Sequence, residues 1–103
     1  MIFVQLNNEL SFAIEHCEKQ ARLIVYKNGL EDVCRKETFG NLRRFIAENN
    51  CHLFKGRLQL NKHGECIGIE VKGKLVGNIK AEEFLSYLEK LINLYSITSV
   101  MSN

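Results

Sequence analysis

Cys51-His52 and, further along, His63-x-x-Cys66 are the residues whose types read most directly as chemistry. Thiols and imidazoles at short spacings are the usual ligands of a structural zinc. One ion needs all its donors converging within about 2.3 Å, so the elements that carry these residues decide the matter. If Asn61-Lys62-His63-Gly64 forms a loop, Leu58 faces Ile67, Phe54 faces Val71 and Lys55 faces Glu70. That register matches apolar with apolar and charge with opposite charge. It also puts His63 and Cys66 at the turn and Cys51-His52 at the open end, about 26 Å away at ~3.3 Å per residue. On this reading the cysteines are small apolar residues, and neither a metal nor another cofactor is expected.

Covalent catalysis has little support in the residue types. A nucleophilic cysteine needs a nearby base and a third group to orient that base. The chain offers three histidines and a single aspartate, Asp32. Gly64, Gly68, Gly73 and Gly77 match no phosphate-binding spacing, and Glu82-Glu83 suit the positive end of a helix dipole. No enzyme activity is expected.

A basic surface is the stronger candidate. Leu53, Lys55, Arg57 and Gln59 alternate with Phe54, Leu58 and Leu60 and are expected on one outward face, joined by Lys72, Lys74, Val76, Asn78 and Lys80. Between Cys51 and Lys80 there are six basic residues against two acidic ones. Such a face can track phosphates, but it lacks the aromatic residues on which single-stranded bases stack. Leu53 and Val76 leave apolar spots among the charges, as a protein contact requires. The sequence therefore favours a protein partner or self-association over nucleic acid.

The elements that would position this face can be read from periodicity. Ile2, Val4 and Leu6 alternate as a strand. Leu10, Ala13, Ile14, Cys17 and Ala21 fall at helical spacing; Leu10, Phe12 and Ile14 also alternate as a hairpin strand would. The run Glu15 to Gln20 has good helix formers and no turn residue, which favours a helix with Phe12 partly exposed. Asn28-Gly29 marks a tight hairpin, since both residues tolerate positive φ. Its return strand, Leu30 to Lys36, is interrupted by Glu31 and Asp32 and reads as an edge. Thr38 caps a helix with Phe39, Leu42, Phe45 and Ile46 on its buried stripe. A three-residue Lys72-Gly73-Lys74 loop then pairs Ile67 with Ile79. A last helix begins near Ala81, with Phe84, Leu85, Leu88, Leu91, Ile92 and Tyr95 on one face. The stretch from Val25 to the Phe39 helix echoes the stretch from Val71 to the Phe84 helix.

The expected architecture is α+β, in the order β-α-ββ-α-βββ-α. A mostly antiparallel sheet of about five or six strands would carry two or three helices on one face. The 103 residues suffice for one domain, read as 1–95 with a polar tail at 96–103. Net charge is +2, and no apolar run reaches the length of a membrane helix. The absence of a signal peptide points to the cytoplasm with reduced thiols. The functional expectation is a small non-catalytic binding protein, an adaptor or inhibitor of the kind a phage or mobile element carries. Nucleic-acid binding through the basic face is the alternative.

Overall fold

The computed structural model describes the backbone of residues 1–101 and the side chains of residues 1–93. It contains eight strands in two four-stranded sheets and two helices. The first sheet comprises β1 (Ile2–Gln5), β2 (Leu10–Cys17), β3 (Gln20–Lys27) and β4 (Leu30–Thr38), and α1 (Phe39–Ala47) follows. The second comprises β5 (Asn50–Leu53), β6 (Leu58–His63), β7 (Cys66–Val71) and β8 (Lys74–Lys80), followed by α2 (Ala81–Met101). Each sheet is an antiparallel meander in chain order. This overturns the expected single sheet of five or six strands with two or three helices.

The largest correction falls on residues 9–20. They form β2 and a turn rather than a helix, and Phe12 is fully buried instead of partly exposed. Phe12 and Ile14 pair with Val25 and Leu23 on the inner face of the sheet. Burial of that alternating set outweighs the modest helix preference of Glu15 to Gln20. No glycine marks the turn because Glu18 itself takes φ 57.

The second correction concerns the expected strand through Leu53 to Gln59. Phe54 at φ 73 and Gly56 at φ 107 break it into a loop between β5 and β6. The β6–β7 turn is then Gly64-Glu65, and Leu58 pairs with Val71 while Leu60 pairs with Ile69. Lys62 consequently faces inward, only 5% exposed, with its ammonium donating to the Glu48 carbonyl at the end of α1. Capping a helix C-terminus is what makes a lysine tolerable there. Ile67 does pair with Ile79, but a two-residue turn followed by a bulge produces that register.

The sequence echo extends to the whole chain. The strands of the first sheet run 4, 8, 8 and 9 residues, and those of the second 4, 6, 6 and 7. Asn28-Gly29 takes φ 52 and 80, and Lys72-Gly73 takes φ 52 and 85. Both turns thus have the two positive φ values of type I′. A bulge follows each, leaving Asp32 and Val76 unpaired. The Asn28 amide donates to Glu9 at 2.7 Å, and the Lys72 amide donates to Arg57 at 2.7 Å. Even the rows correspond: Val4–Phe12–Val25–Val33 in the first sheet matches Leu53–Leu60–Ile69–Gly77 in the second. The described residues form two ββββα units in tandem.

One core joins the units. The inner faces of both sheets, Leu42, Phe45 and Ile46 of α1, and Phe84, Leu88 and Leu91 of α2 belong to a single buried cluster. Thr38 caps α1 by accepting the Asn41 amide at 3.1 Å. α2 packs across β2 of the first unit as well as β8 of its own, with Phe84 stacked on Phe12 at 6.2 Å between centroids. Leu6 packs onto Gly77 so closely that a Cβ there would lie 2.8 Å from Leu6 Cδ2. Among the described residues, no helix is long and apolar enough to cross a membrane.

Candidate functional site

The nine residues expected on one outward face are distributed over several settings. Gln59, Asn78 and Lys80 do lie on the outer face of the second sheet. Leu53 and Val76 instead pack against the core. Lys55 and Arg57 sit in the β5–β6 loop, Lys72 in the β7–β8 turn, and Lys74 at the first position of β8. The outer face itself is polar rather than basic. Its central row is His52–Asn61–Gly68–Asn78, with hydrogen bonds linking His52 to Asn61 and Asn61 to Glu70.

The Cys/His residues are closer than the expected hairpin implied. β5 runs beside β6, so Asn50 pairs with His63, placing Cys51 and His52 within two positions of it. The faces divide them instead. Cys51 points inward and its thiol donates to the Phe45 carbonyl at 3.2 Å, whereas His52 points outward. Burial pushes the Cys51 thiol pKa up, and the nearby Lys62 ammonium only partly offsets this. Among the described residues, no three His, Cys, Asp or Glu side chains are grouped to hold a metal ion. A cavity of about 450 Å³ at the start of α2 is lined by Lys62, Cys66 and Lys80 together with Glu65 and Glu82. It mixes both signs of charge.

Two surfaces stand out, and both depend on the first unit. The outer row of the first sheet is Phe3–Ala13–Ile24–Cys34. Ala13 and Ile24 in its middle are fully buried, yet they lie outside the main core cluster. Phe3 at its end is 60% exposed, and its ring lies 5.7 Å from that of Tyr26, tilted by 44°. Beside this row Arg22 bridges Glu15, at 2.9 Å, and Glu31. Hydrogen bonds to Glu15 first and Glu31 second push the Arg22 pKa still higher, fixing it as a cation.

The second surface is the seam where β4 meets the loops of the second unit. Arg57 and Lys72, both singled out from the sequence, meet here with Arg35, which was not. The Arg35 guanidinium lies 5.2 Å from the centroid of the Phe54 ring and beside Gly56. Lys72 pairs with Asp32 at 2.9 Å. A notch of about 280 Å³ opens between them, lined by Arg35 and Arg57 with Val33 and Leu58.

The sequence did not single out Arg35 because Leu30–Lys36 reads as a poor edge strand. It missed the Phe3 row because residues 9–20 read as a helix. The alternation of Ile2 and Val4 already implied that Phe3 faces the other way. No protein-family model matches the chain, no curated protein is significantly similar to it, and no solved structure matches it.

Proposed function

We propose that this protein is a small non-catalytic binding module that takes a protein partner on the outer face of its first sheet. One observation carries the reading: Phe3 stands 60% exposed at the end of the apolar Phe3–Ala13–Ile24–Cys34 row, over the buried Ala13 and Ile24, where the equivalent row of the second unit is polar. Packing of the fold does not demand an exposed aromatic at that position, since His52 occupies it in the sister unit. Aromatic residues beside an ordered polar rim are what protein interfaces favour. Phe3 with Tyr26 supplies the first, and the Glu15–Arg22–Glu31 network supplies the second. Division of the basic residues between loops and turns favours this reading over nucleic acid, which needs them aligned along a backbone.

The test is affinity capture with the wild type, a Phe3→Ala/Tyr26→Ala variant and a His52→Ala/Asn78→Ala variant. A partner should be held by the wild type and by the second-sheet variant. The aromatic variant should lose it by at least about tenfold in affinity, the effect of removing one interface anchor. Retention by the aromatic variant with loss from the second-sheet variant would refute the assignment.

A further inference from the structure

From the notch between the two units we infer a second binding site, for an acidic peptide segment carrying two or more closely spaced carboxylates. This site is separate from the aromatic face and stands without it.

The site turns on Arg35. Its row on the inner side of the first sheet is Ile2–Ile14–Leu23–Arg35, and the equivalent row of the second is Cys51–Lys62–Ile67–Ile79. Where the first unit has an exposed arginine, the second has a buried isoleucine. The fold therefore accepts an apolar residue there, and the charge is not a packing requirement. Arg35 is also held rather than free to sweep. Its guanidinium lies over the Phe54 ring, and Phe54 is fixed at φ 73 by the loop it begins. Stacking on an aromatic face leaves the edge N–H groups of a guanidinium available to a carboxylate.

The notch is lined by two arginines and two carboxylates, so what matters is which of them are already paired. Its two carboxylates are already engaged: Glu31 with Arg22, and Asp32 with Lys72. Among the described residues Arg35 and Arg57 have no ion-pair partner, and Lys55 lies exposed on the same loop as Arg57. Arg35 and Arg57 both line the recess, together with the buried Val33 and Leu58 and the already paired Glu31 and Asp32. Arginine forks bind carboxylates in a bidentate manner, and partial exclusion of water strengthens that attraction. A recess of about 280 Å³ admits one or two side chains. It offers no long track for a nucleic-acid backbone, which distinguishes an acidic peptide from RNA or DNA as the occupant.

The experiment is fluorescence anisotropy at low ionic strength on the full chain. The probes are a labelled hexaglutamate peptide and a labelled hexathymidine of similar charge. Arg35→Glu/Arg57→Glu should weaken hexaglutamate binding by at least about tenfold, the loss of one charge-assisted pair. Arg43→Glu, a reversal on the exposed side of α1, should change it by less than about twofold, because exposed distant charges are screened. Arg35→Lys should fall between the wild type and the reversal, since lysine keeps the charge and loses the planar fork. Circular dichroism and the melting temperature of each variant exclude misfolding as the cause. Three outcomes overturn the site: no hexaglutamate binding by the wild type, an equal loss in Arg43→Glu, or tighter hexathymidine binding lost through the same two arginines.

Discussion

The outward row Phe3–Ala13–Ile24–Cys34 of the first sheet and the row His52–Asn61–Gly68–Asn78 of the second occupy the same four places in the same strand ladder. Turned inward, the neighbouring rows keep one chemistry, Val4–Phe12–Val25–Val33 against Leu53–Leu60–Ile69–Gly77. The comparison separates what the ββββα unit demands from what it permits. The central inner row of each sheet must be apolar, because it shares a single core with both helices, whereas the next inner row admits Arg35 at its edge and Lys62 against the end of α1. Outer rows lie outside that core, and there the two units differ at all four places, although Ala13 and Ile24 are themselves fully buried. The seam qualifies this: on the inner side too, Arg35 and Ile79 stand at equivalent places on the last strand of each sheet, one exposed and one buried.

Substitutions in the central inner row of each sheet should have the largest effect. Phe12→Ala should cost about 3–5 kcal/mol and Leu60→Ala about 2–5 kcal/mol, from lost burial plus the cavity left behind. Both should lower a single cooperative transition in urea, because the two residues belong to one cluster. Two separate transitions, each sensitive to one substitution, would show two independent units instead. The outer row gives an asymmetric pair. Ile24→Gly, which gives the first unit the residue of the second, should cost about 3 kcal/mol or more, since Ile24 is fully buried. Its counterpart Gly68→Ala should change stability by less than about 1 kcal/mol. The new Cβ would lie 3.1 Å from Leu75 Cδ1, at the end of an exposed side chain free to shift. Chemical denaturation of the two variants side by side reads the difference. The smallest effect lies in the shared turn. Asn28→Lys, which gives the first turn the residue of the second, should cost about 1 kcal/mol, because lysine tolerates φ 52 less well than asparagine. An unchanged melting temperature would mean the turns are energetically unlike despite their matching dihedrals.

Legibility in the sequence followed the strength of local signals. Asn28-Gly29 announced its hairpin because its residues favour the conformation the turn needs. Thr38 and the stripe Leu42–Phe45–Ile46 announced α1, and Phe84, Leu88 and Leu91 announced α2. What stayed hidden was decided by tertiary packing. Glu18 adopts a left-handed turn that its own preference opposes, held by the strands on either side. Lys62 faces inward, against its polarity, because a helix end supplies a carbonyl for its ammonium. The Ile67–Ile79 pairing was reached from the sequence with a three-residue loop, but the turn itself was not. The molecule turns on Lys72-Gly73 alone, pairs Lys74 with Val71, and makes up the third residue with the bulged Val76. For the candidate sites, Arg57 and Lys72 were visible as exposed charges. Arg35 was hidden because its significance depends on Phe54 crossing from the other unit. Tyr95 and the tail at 96–103 lie beyond the described side chains.

The longer strands of the first sheet differ from those of the second by two complete rungs, His16–Ala21–Glu37 and Cys17–Gln20–Thr38. A strand side chain returns to its own face only every second residue, so such a ladder can grow or shrink at this end only in even steps taken by all three strands together. Excising the six residues as a set would leave every other side chain facing as before. It would lower the start of α1 by about 6.6 Å and remove His16 from beside Phe39, where the rings now lie 5.3 Å apart. Deleting a single residue from one strand would turn part of the core outward. Length variation in this architecture is therefore quantised, and the chain already displays two adjacent allowed values.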